Sequence, residues 1–448
     1  MNIDRTTMLD KVKKETEFWD IVIIGGGATG LGAAVDASSR GYKTLLLEQH
    51  DFAKGTSSRS TKLVHGGVRY LQQGNVALVL EALRERGLLI QNAPHLVKNQ
   101  SFIVPNYDWW EGPFYGIGMK VYDMLAGKLG IGKSKNLSRE KTLELLPTIE
   151  SKGLKGGVIY YDGQFDDSRL AINLAQTAID HGGYTINYAK VTGLLKTNDA
   201  VSGVTAQDQL TGEDFEVNAR AVVNATGVFT DDILEMDDSD AQDIIVPSQG
   251  VHIMLDKGFL PGDSAIMVPH TEDGRVLFAV PWHDKILVGT TDTPVESPSL
   301  EPMAMEDEVD FILDHAKQYL TGNPTRDDIQ SVFAGLRPLV NPSGSKDTAD
   351  ISRDHTLLVS LSGLITIAGG KWTTYRKMAE DTIDKAATVA GLKEQDFITE
   401  DLRIHGWLKN VVREEHLQYY GSDKVAVENI IENNPELGER LHDRLPYL

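Results

Sequence analysis

Basic side chains in unusual sequence contexts give the first indication of chemistry in this chain. Arg337 lies between glycine and proline in GLRPL, Arg353 lies in SRDH shortly before a strand-like LLVSL, and Lys371 follows two glycines in GGKW. Two guanidinium groups can bind a phosphate through paired hydrogen bonds, and an ammonium group adds a point charge. The imidazoles of His252, in the strand-like VHIML, and His65, in VHGG, titrate near neutral pH and suit proton transfer. These residues predict a cationic pocket with an acid–base group.

Each of these residues also has a simpler interpretation. Arg353 precedes Asp354 and could form an ion pair with it, and Arg337 could be an ordinary structural arginine. Lys371 could stand at the start of a packing helix, and a single histidine on a strand is often a satisfied core or surface residue. The elements that position these residues therefore have to be identified.

The N-terminal stretch DIVIIGGGATGLGAA predicts a strand, a tight turn and a helix. Residues 21–24 form a short β-branched run, which is typical of a buried parallel strand. Residues 28–39 are compatible with a helix that ends at Arg40-Gly41. Residues 42–47 then predict a second strand, closed by Glu48.

The glycines of the turn, Gly25, Gly27 and Gly30, form the pattern G-x-G-x-x-G. In such a unit the first glycine permits the tight turn, the second lets backbone N–H groups approach a pyrophosphate, and the third lets the helix pack closely on the strand. The helix N-terminus adds partial positive charge. Glu48 follows at close to the roughly 20-residue spacing expected for a carboxylate that binds a ribose. The unit predicts dinucleotide binding, and a glycine-rich turn in another α/β protein is the alternative.

Two further segments favour FAD over a nicotinamide dinucleotide. Residues 51–71 continue with hydroxyls and glycines where a simple nicotinamide domain would continue with another strand and helix. The strand-like residues 221–224 run into another turn that can face a dinucleotide. An ordinary polar loop is the alternative for the first segment. The predicted cofactor contacts in the two segments are Thr56, Ser57, Ser58, Lys62, His65, Gly66, Gly67, Ala225, Thr226 and Gly227.

Composition excludes several classes of protein. A length of 448 residues predicts two or three domains, and 41% hydrophobic with 24% charged residues is typical of a soluble globular protein. The absence of cysteine excludes thiolate catalysis, Cys-ligated metal and the redox-active dithiols of disulfide reductases. The net charge of -21 argues against nucleic-acid binding, and it means that an anionic substrate needs a local cluster of basic residues. No metal site is predicted.

In combination these motifs resemble the FAD-dependent glycerol-3-phosphate dehydrogenase family. This family belongs to the D-amino-acid-oxidase-type branch of the glutathione-reductase-like FAD superfamily. The resemblance covers about residues 18 to 390 and is most specific in SRSTKLVHGG and GGKWTTYRK. The other matching stretches are IIGGGATGLG, YYDGQFDDSRL, NATG, VPWHDKILVGTTDT, FAGLRPL and SRDH.

The resemblance implies an α/β fold with a Rossmann-like FAD-binding domain that is discontinuous in the chain. A substrate domain on a mixed or antiparallel sheet is inserted in it, and a helical C-terminal segment follows that is incomplete relative to the family. The implied limits are 16–98, 164–246 and 346–390 for the FAD-binding domain, 99–163 and 247–345 for the substrate domain, and 391–448 for the C-terminal segment.

The resemblance also implies an activity. The reaction is the FAD-dependent oxidation of sn-glycerol 3-phosphate to dihydroxyacetone phosphate, in which a hydride passes from C2 to flavin N5. A base takes the proton of the C2 hydroxyl, and the electrons pass on to quinone. A glycerol-3-phosphate oxidase that reduces oxygen to hydrogen peroxide is the first alternative. A flavin amine or 2-hydroxy-acid oxidoreductase on the same fold is the second.

Roles for individual residues follow from the resemblance. Arg337 and Arg353 are expected to hold the phosphate. The helix that begins after GGKW is expected to point its N-terminus at the flavin, where it would stabilise the reduced form together with Lys371. Further flavin contacts are expected from Gly370, Thr373 and Thr374. The choice of base stays open, with His252 favoured as the base and His65 near the flavin.

Location and partners are less strongly indicated. The charged N-terminus lacks a signal-peptide core, which predicts a cytoplasmic protein, peripheral on the inner face of the cell membrane if it contacts lipid. Residues 109–133 combine aromatic, methionine, leucine and lysine residues. They predict a packed helix of the substrate domain, with contact to the membrane interface as the alternative. A homodimer is left open.

Overall fold

The structure is a computed structural model that describes residues 4–68, 71, 74–268, 276–341, 354–411, 417–443 and 447–448. Its helices over these residues are α1 (Arg5–Lys14), α2 (Ala28–Ser39), α3 (Val76–Asn92), α4 (Glu111–Ala126), α5 (Arg139–Leu145), α6 (Asp167–Asp180), α7 (Thr230–Asp237), α8 (Glu306–Tyr319), α9 (Tyr375–Val389) and α10 (Lys424–Asn433).

The strands form two separate sheets. They are β1 (Trp19–Ile24), β2 (Thr44–Leu47), β3 (Leu63–Val64), β4 (Val97–Asn106), β5 (Lys135–Ser138), β6 (Gly156–Phe165), β7 (Tyr184–Ile186), β8 (Ala189–Thr197), β9 (Ala200–Asp208), β10 (Asp214–Asn224), β11 (Ile245–Asp256), β12 (Ala265–Val268), β13 (Leu277–Trp282), β14 (Lys285–Gly289), β15 (Thr293–Pro294), β16 (Ser331–Val340), β17 (His355–Val359) and β18 (Ile365–Gly369).

The first sheet has the strand order β17-β18-β10-β1-β2-β7. The strands from β18 to β7 are parallel, β17 runs antiparallel to β18, and β8 and β9 extend the sheet through the first half of β10. On one face Ile21 and Ile23 pack with Leu31 of α2, and on the other Val22 packs with Leu9 of α1. Burial on both faces explains why β1 is a continuous apolar run.

The second sheet has the order β15-β11-β14-β13-β12-β4-β6-β3, with β16 paired to β11 and β5 paired to β6. Its strands are antiparallel except for the pair β4 and β12. Val251 and Ile253 pack with Ile312 of α8 on one face. Because side chains alternate along a strand, His252 lies on the opposite face.

This architecture confirms the predicted α/β fold class, with a parallel sheet and a second, mainly antiparallel sheet. The short strand β3 lies within the segment predicted for the FAD-binding domain, but it pairs with β6 of the second sheet. The domain limits themselves stay predictions. Within the part of the chain that the structure describes, no helix is both long enough and apolar enough to cross a bilayer.

The packing of α2 on the first sheet is tightest at Gly30. A Cβ at this position would lie 1.9 Å from the carbonyl oxygen of Gly25. We expect Gly30→Ala to lower the free energy of unfolding by roughly 1–3 kcal/mol or more, because α2 has to move away from the turn. Gly118→Ala is the control, since Gly118 is also helical and a Cβ there meets no described atom within 4 Å. Urea unfolding of both variants measures the difference, and equal stability would contradict the packing argument.

Candidate functional site

A cavity of about 500 Å³ lies where the carboxyl ends of β1, β2, β10 and β18 meet one face of the second sheet. Neighbouring parallel strands end at the same edge of a sheet, which is where ligands bind in open α/β sheets. The predicted site residues that line the cavity are Gly25, Gly27, Glu48, Thr56, Ser57, His65, Gly67, Ala225, Thr226, Gly227, His252, Arg337, Gly370, Lys371 and Thr373.

The glycine turn between β1 and α2 forms one end of the cavity. Gly25 has φ +109°, and a Cβ there would lie 2.6 Å from the carbonyl oxygen of Ala225, so glycine is required for both backbone shape and space. The N–H of Ala225 donates to the carbonyl of Ile24 at 2.9 Å, which fixes the two strand ends together. The N–H of Ala28, the first residue of α2, donates to Ser57 Oγ at 2.9 Å. The turn and the helix N-terminus therefore fit a diphosphate.

Glu48 stands at the end of β2 beside this turn. Its Oε2 accepts the N–H of Gly26 at 2.6 Å, and its Oε1 accepts the N–H of His50 at 2.7 Å. Burial raises the pKa of Glu48, and these two hydrogen bonds oppose that shift. The carboxylate is held at the cavity wall, where it fits a ribose of a dinucleotide.

The segment that contains Thr56 and Ser57 lies between the two sheets. Thr56 Oγ1 donates to the carbonyl of Leu336 on β16 at 2.5 Å. Trp372 Nε1 donates to the carbonyl of Ser57 at 2.8 Å. The segment is thus attached to the second sheet on one side and to the residues before α9 on the other.

The residues before α9 form another wall of the cavity. Gly369 and Gly370 have φ +77° and +71°, which turns the chain sharply between β18 and the helix. Lys371 follows and lines the cavity, and Thr373 Oγ1 accepts the N–H of His65 at 3.2 Å. This arrangement brings the GGKW and VHGG motifs together.

His252 lies on β11 between β14 and β16. It is opposite Gly289 and Phe333 in the sheet register, and the ring of Phe333 stacks on the imidazole at 4.9 Å and 14°. A Cβ at Gly289 would lie 2.5 Å from the imidazole Cδ2. His252 Nε2 is 2.9 Å from Thr61 Oγ1. The imidazole is therefore fixed by stacking, by close backbone packing and by a hydroxyl.

The charge state of His252 follows from its surroundings. Burial lowers the pKa of His252, the positive charges of Arg337 and Lys62 act in the same direction, and together they bring it to about 3. The imidazole is therefore neutral at physiological pH and able to accept a proton.

Arg337 lies on β16 with its guanidinium fixed by residues after β14. Nη1 donates to Asp292 Oδ1 at 3.2 Å, and Nη2 donates to Thr290 Oγ1 at 3.2 Å and to the carbonyl of Thr291 at 2.9 Å. A Cβ at Gly250 would lie 2.5 Å from Nη2, so the glycine on β11 leaves room for the guanidinium. Arg337 is a positioned cation on the cavity wall.

The sequence predicts Lys62 as a cofactor contact, but Lys62 does not line the cavity. Its Nζ donates to the two carboxylate oxygens of Asp167 at 2.6 and 2.8 Å and to the carbonyl of Ser58 at 2.7 Å. Asp167 is 1% exposed. This ion pair and hydrogen bond orient the ammonium group of Lys62.

Gly66 also faces away from the cavity. Its N–H donates to the hydroxyl of Tyr122 at 2.7 Å, and that hydroxyl donates to Asp162 at 2.9 Å. Arg86 Nη1 donates to Asp162 Oδ1 at 2.6 Å. A Cβ on Gly66 would lie 2.6 Å from the Tyr122 hydroxyl, so glycine at this position lets Tyr122 of α4 approach the backbone closely.

The other predicted site residues either do not line the cavity or lie outside the described part of the chain. Gly30 packs on the glycine turn, Thr374 is buried at the start of α9, and Arg353 lies outside the described residues. The predicted cofactor contacts that do not line the cavity are Gly30, Ser58, Lys62, Gly66 and Thr374. Any direct role for them stays a prediction.

Three contacts within the site were not predicted from the sequence. Thr61 contacts His252, Phe333 stacks on it, and Asp292 fixes Arg337. Thr61 and Asp292 lie within the motifs SRSTK and GTTDT, so the hydroxyl and acidic residues of these motifs could have been considered as partners of the site residues. Nothing in the local sequence indicated Phe333.

Comparisons with known proteins support the predicted family. Residues 20–376 match the family described as "DAO: FAD dependent oxidoreductase". The mitochondrial glycerol-3-phosphate dehydrogenase of Macaca fascicularis is 45% identical over 417 residues, which cover 90% of this chain. The chain spans 57% of the length of that relative.

Solved structures show the same fold. The glycerol-3-phosphate dehydrogenase from Bacillus halodurans, complexed with FAD, is 32% identical with a TM-score of 0.78, and the match covers 97% of this chain and 82% of that one. The L-alpha-glycerophosphate oxidase from Mycoplasma pneumoniae, with FAD bound, is similar in fold alone, at 17% identity and a TM-score of 0.66, with 86% of this chain and 98% of that one covered. The family match and the Bacillus relative confirm the resemblance predicted from the motifs, and the chain belongs to the DAO family of FAD dependent oxidoreductases.

Proposed function

We propose that this chain oxidises sn-glycerol 3-phosphate to dihydroxyacetone phosphate with FAD as cofactor. The observation that carries the proposal is that one cavity joins a dinucleotide-type turn at Gly25, a positioned cation at Arg337 and a neutral histidine at His252. The names of the Macaca and Bacillus relatives support the choice of substrate.

Three parts of the cavity wall are suited to the parts of FAD. The Gly25–Gly27 turn and the N-terminus of α2 would receive the diphosphate, and Glu48 would accept hydrogen bonds from the ribose. Lys371 and the N-terminal end of α9 offer positive charge for the isoalloxazine. When bound, FAD supplies the acceptor for the hydride that leaves C2 of the substrate.

The role of Glu48 can be tested by FAD binding alone. We expect Glu48→Gln to raise the Kd for FAD about tenfold, because an amide replaces a charged acceptor of hydrogen bonds. The difference in Kd between the variant and the wild type should become smaller as the pH falls, since the raised pKa of Glu48 means that its carboxylate is protonated at a higher pH than an ordinary glutamate. Titration of the apoprotein with FAD measures both. The exposed Glu17→Gln is the control, and a Kd equal to that of the wild type at neutral pH would refute the role.

On the substrate side, Arg337 is the described cation best placed to bind the phosphate. Its guanidinium is oriented by Asp292 and Thr290, so little conformational freedom is lost on binding. Arg353 and Lys371 remain predicted partners. A local cation also offsets the repulsion expected from a chain with net charge -21.

His252 is the proposed base for the C2 hydroxyl. It is neutral before the substrate binds, so one of its ring nitrogens is unprotonated and can take the proton. A phosphate dianion next to Arg337 would offset the guanidinium charge, which is the second cause of the low pKa of His252 after burial, and would raise that pKa toward the range of a general base. His65 also lines the cavity and is the alternative base.

Anaerobic titration tests the proposed reaction directly. Addition of sn-glycerol 3-phosphate to the FAD-loaded protein is expected to bleach the visible flavin absorbance, and glycerol is expected to be far less effective. If the absorbance survives excess glycerol 3-phosphate, the proposal is wrong. Bleaching by an amine or a 2-hydroxy acid instead would favour the alternative oxidoreductase.

The phosphate role of Arg337 has its own test. We expect Arg337→Met to lower kcat/KM for glycerol 3-phosphate roughly 10- to 100-fold, because a charged hydrogen-bonding partner of the phosphate is lost. The residual reduction by glycerol, which has no phosphate, should change little. Arg220→Met on the exposed surface is the matched control. An equal loss with both substrates would mean that Arg337 supports the fold and does not bind phosphate.

We further propose quinone as the electron acceptor, with oxygen as the alternative. Reoxidation of the reduced enzyme by a soluble quinone analogue, compared with oxygen uptake in an electrode, separates the two. A homodimer stays a prediction.

We also propose that α4 contacts a phospholipid surface. The α4 face consists of exposed apolar side chains on α4 and in the turn before it, namely Trp109, Trp110, Phe114, Ile117 and Met124. Exposed lysines lie within α4 at Lys120 and after it at Lys128, Lys133 and Lys135. Aromatic and apolar side chains beside lysines complement the headgroup region of an anionic membrane. The opposite side of the helix is packed, as the sequence predicted for a helix of this segment.

Vesicle flotation tests the α4 face. The wild type is expected to float with vesicles that contain phosphatidylglycerol, and Phe114→Ser with Ile117→Ser should abolish most of this binding, because each apolar side chain contributes about 1.5–3 kcal/mol when buried. Val425→Ser with Ile430→Ser, on the exposed surface of α10, is the matched control. If the wild-type protein does not float with the vesicles at low salt, the proposed lipid contact is wrong.

A further inference from the structure

Thr61 lies beside His252 on the cavity wall, and the reaction described above does not use it. Its Oγ1 is 2.9 Å from His252 Nε2. Both residues line the cavity, but the side chain of Thr61 is half-buried, whereas His252 is only 3% exposed. Thr61 is therefore the more exposed residue of the pair.

The direction of the Thr61 hydroxyl is set by the residues on either side of it. Ser60 binds Asp167 through its N–H at 3.2 Å and its hydroxyl at 2.7 Å, and Lys62 binds the same carboxylate through Nζ. Lys62 has φ +61°, which turns the chain immediately after Thr61. Two neighbours held on one buried carboxylate leave Thr61 little freedom to turn away from His252.

His252 is equally constrained. Phe333 stacks on its ring, and Nε2 contacts Thr61, while Nδ1 is buried with no hydrogen-bond partner among the described residues. Nε2 is thus the nitrogen that contacts another group on the cavity wall, the Thr61 hydroxyl.

We propose that Thr61 is a further catalytic residue that passes the proton of the substrate hydroxyl to His252. A hydroxyl donates one hydrogen bond and accepts two, so it can bind the substrate and the imidazole at the same time. This inference rests on the proposed oxidation of glycerol 3-phosphate.

The proton transfer balances within the proposed reaction. The O–H bond of the substrate breaks as a new O–H bond forms on Thr61 Oγ1. The original O–H bond of Thr61 breaks as an N–H bond forms on His252 Nε2. The hydrogen on C2 of the substrate leaves with its electron pair to the hydride acceptor that FAD supplies when bound, and the substrate becomes a ketone. Before the step, the single proton of the neutral imidazole lies on Nδ1.

Two variants separate the hydroxyl from the shape of the side chain. Thr61→Val keeps the shape without the hydroxyl, and Thr61→Ser keeps the hydroxyl. In anaerobic stopped-flow mixing with glycerol 3-phosphate, we expect T61V to slow flavin reduction roughly 100-fold or more and T61S to retain most of the rate. Product affinity, measured from the change that dihydroxyacetone phosphate causes in the flavin spectrum, should be little changed in both. A T61V rate equal to that of the wild type, or a T61S rate as slow as that of T61V, overturns the proposal.

The wild type provides a test that does not depend on how the variants fold. Two protons in flight predict a curved dependence of the flavin reduction rate on the fraction of D₂O, and a linear dependence overturns the relay. Nitrogen NMR of histidine-labelled protein, with the His252 signals assigned from His252→Asn, should show Nδ1 protonated and Nε2 as an acceptor. A protonated Nε2 also overturns it. If glycerol 3-phosphate does not bleach the wild type, the proposed function fails, while the NMR still tests the contact between Thr61 and His252.

Discussion

The buried ion pair between Lys62 and Asp167 is the interaction on which the geometry of the site most depends. It anchors the segment that runs between the two sheets to the first residue of α6. The same segment carries Ser57 to the N-terminus of α2 and Thr61 to His252. Loss of one partner would leave an unpaired buried charge, which typically costs about 3–5 kcal/mol. The pair therefore sets the position of residues in both halves of the cavity.

Electrostatics in this protein act at two ranges. The chain carries a net charge of -21, yet Arg337 and Lys371 line the cavity. Over distances beyond about 8–10 Å, salt screens the repulsion of the acidic surface, whereas partly buried charges in the cavity are screened much less. A few positioned cations can therefore determine which ligands bind, whatever the sign of the total charge. Burial keeps His252 neutral, and the charge of Arg337 acts in the same direction, which links anion binding to proton transfer.

Helix α4 serves the site through one side and exposes the other. The hydroxyl of Tyr122 accepts the N–H of Gly66 and binds Asp162, which is paired with Arg86. The opposite side carries the α4 face. A surface proposed to contact lipid is thus joined by a short series of buried hydrogen bonds to the backbone beside His65.

Local spacing determined a large part of this protein from its sequence. The positions of Gly25, Gly30 and Glu48 predict the dinucleotide-type turn, because the contacts of Gly30 with Gly25 and of Glu48 with Gly26 arise between elements adjacent in the chain. The types of Arg337 and His252 indicated chemistry. Their meeting in one wall depends on the register of β11 with β16, which pairs residues that are far apart in the sequence.

Only the tertiary structure decided which side of each loop faces the cavity. Lys62 and Gly66 stand in a motif full of cofactor-like residues, but their partners, Asp167 and Tyr122, come from distant helices. Thr61, between Ser60 and Lys62, is turned to His252 by the same long-range contacts. A sequence motif fixes which groups are available, whereas the direction of each group is fixed by packing partners that no local pattern contains.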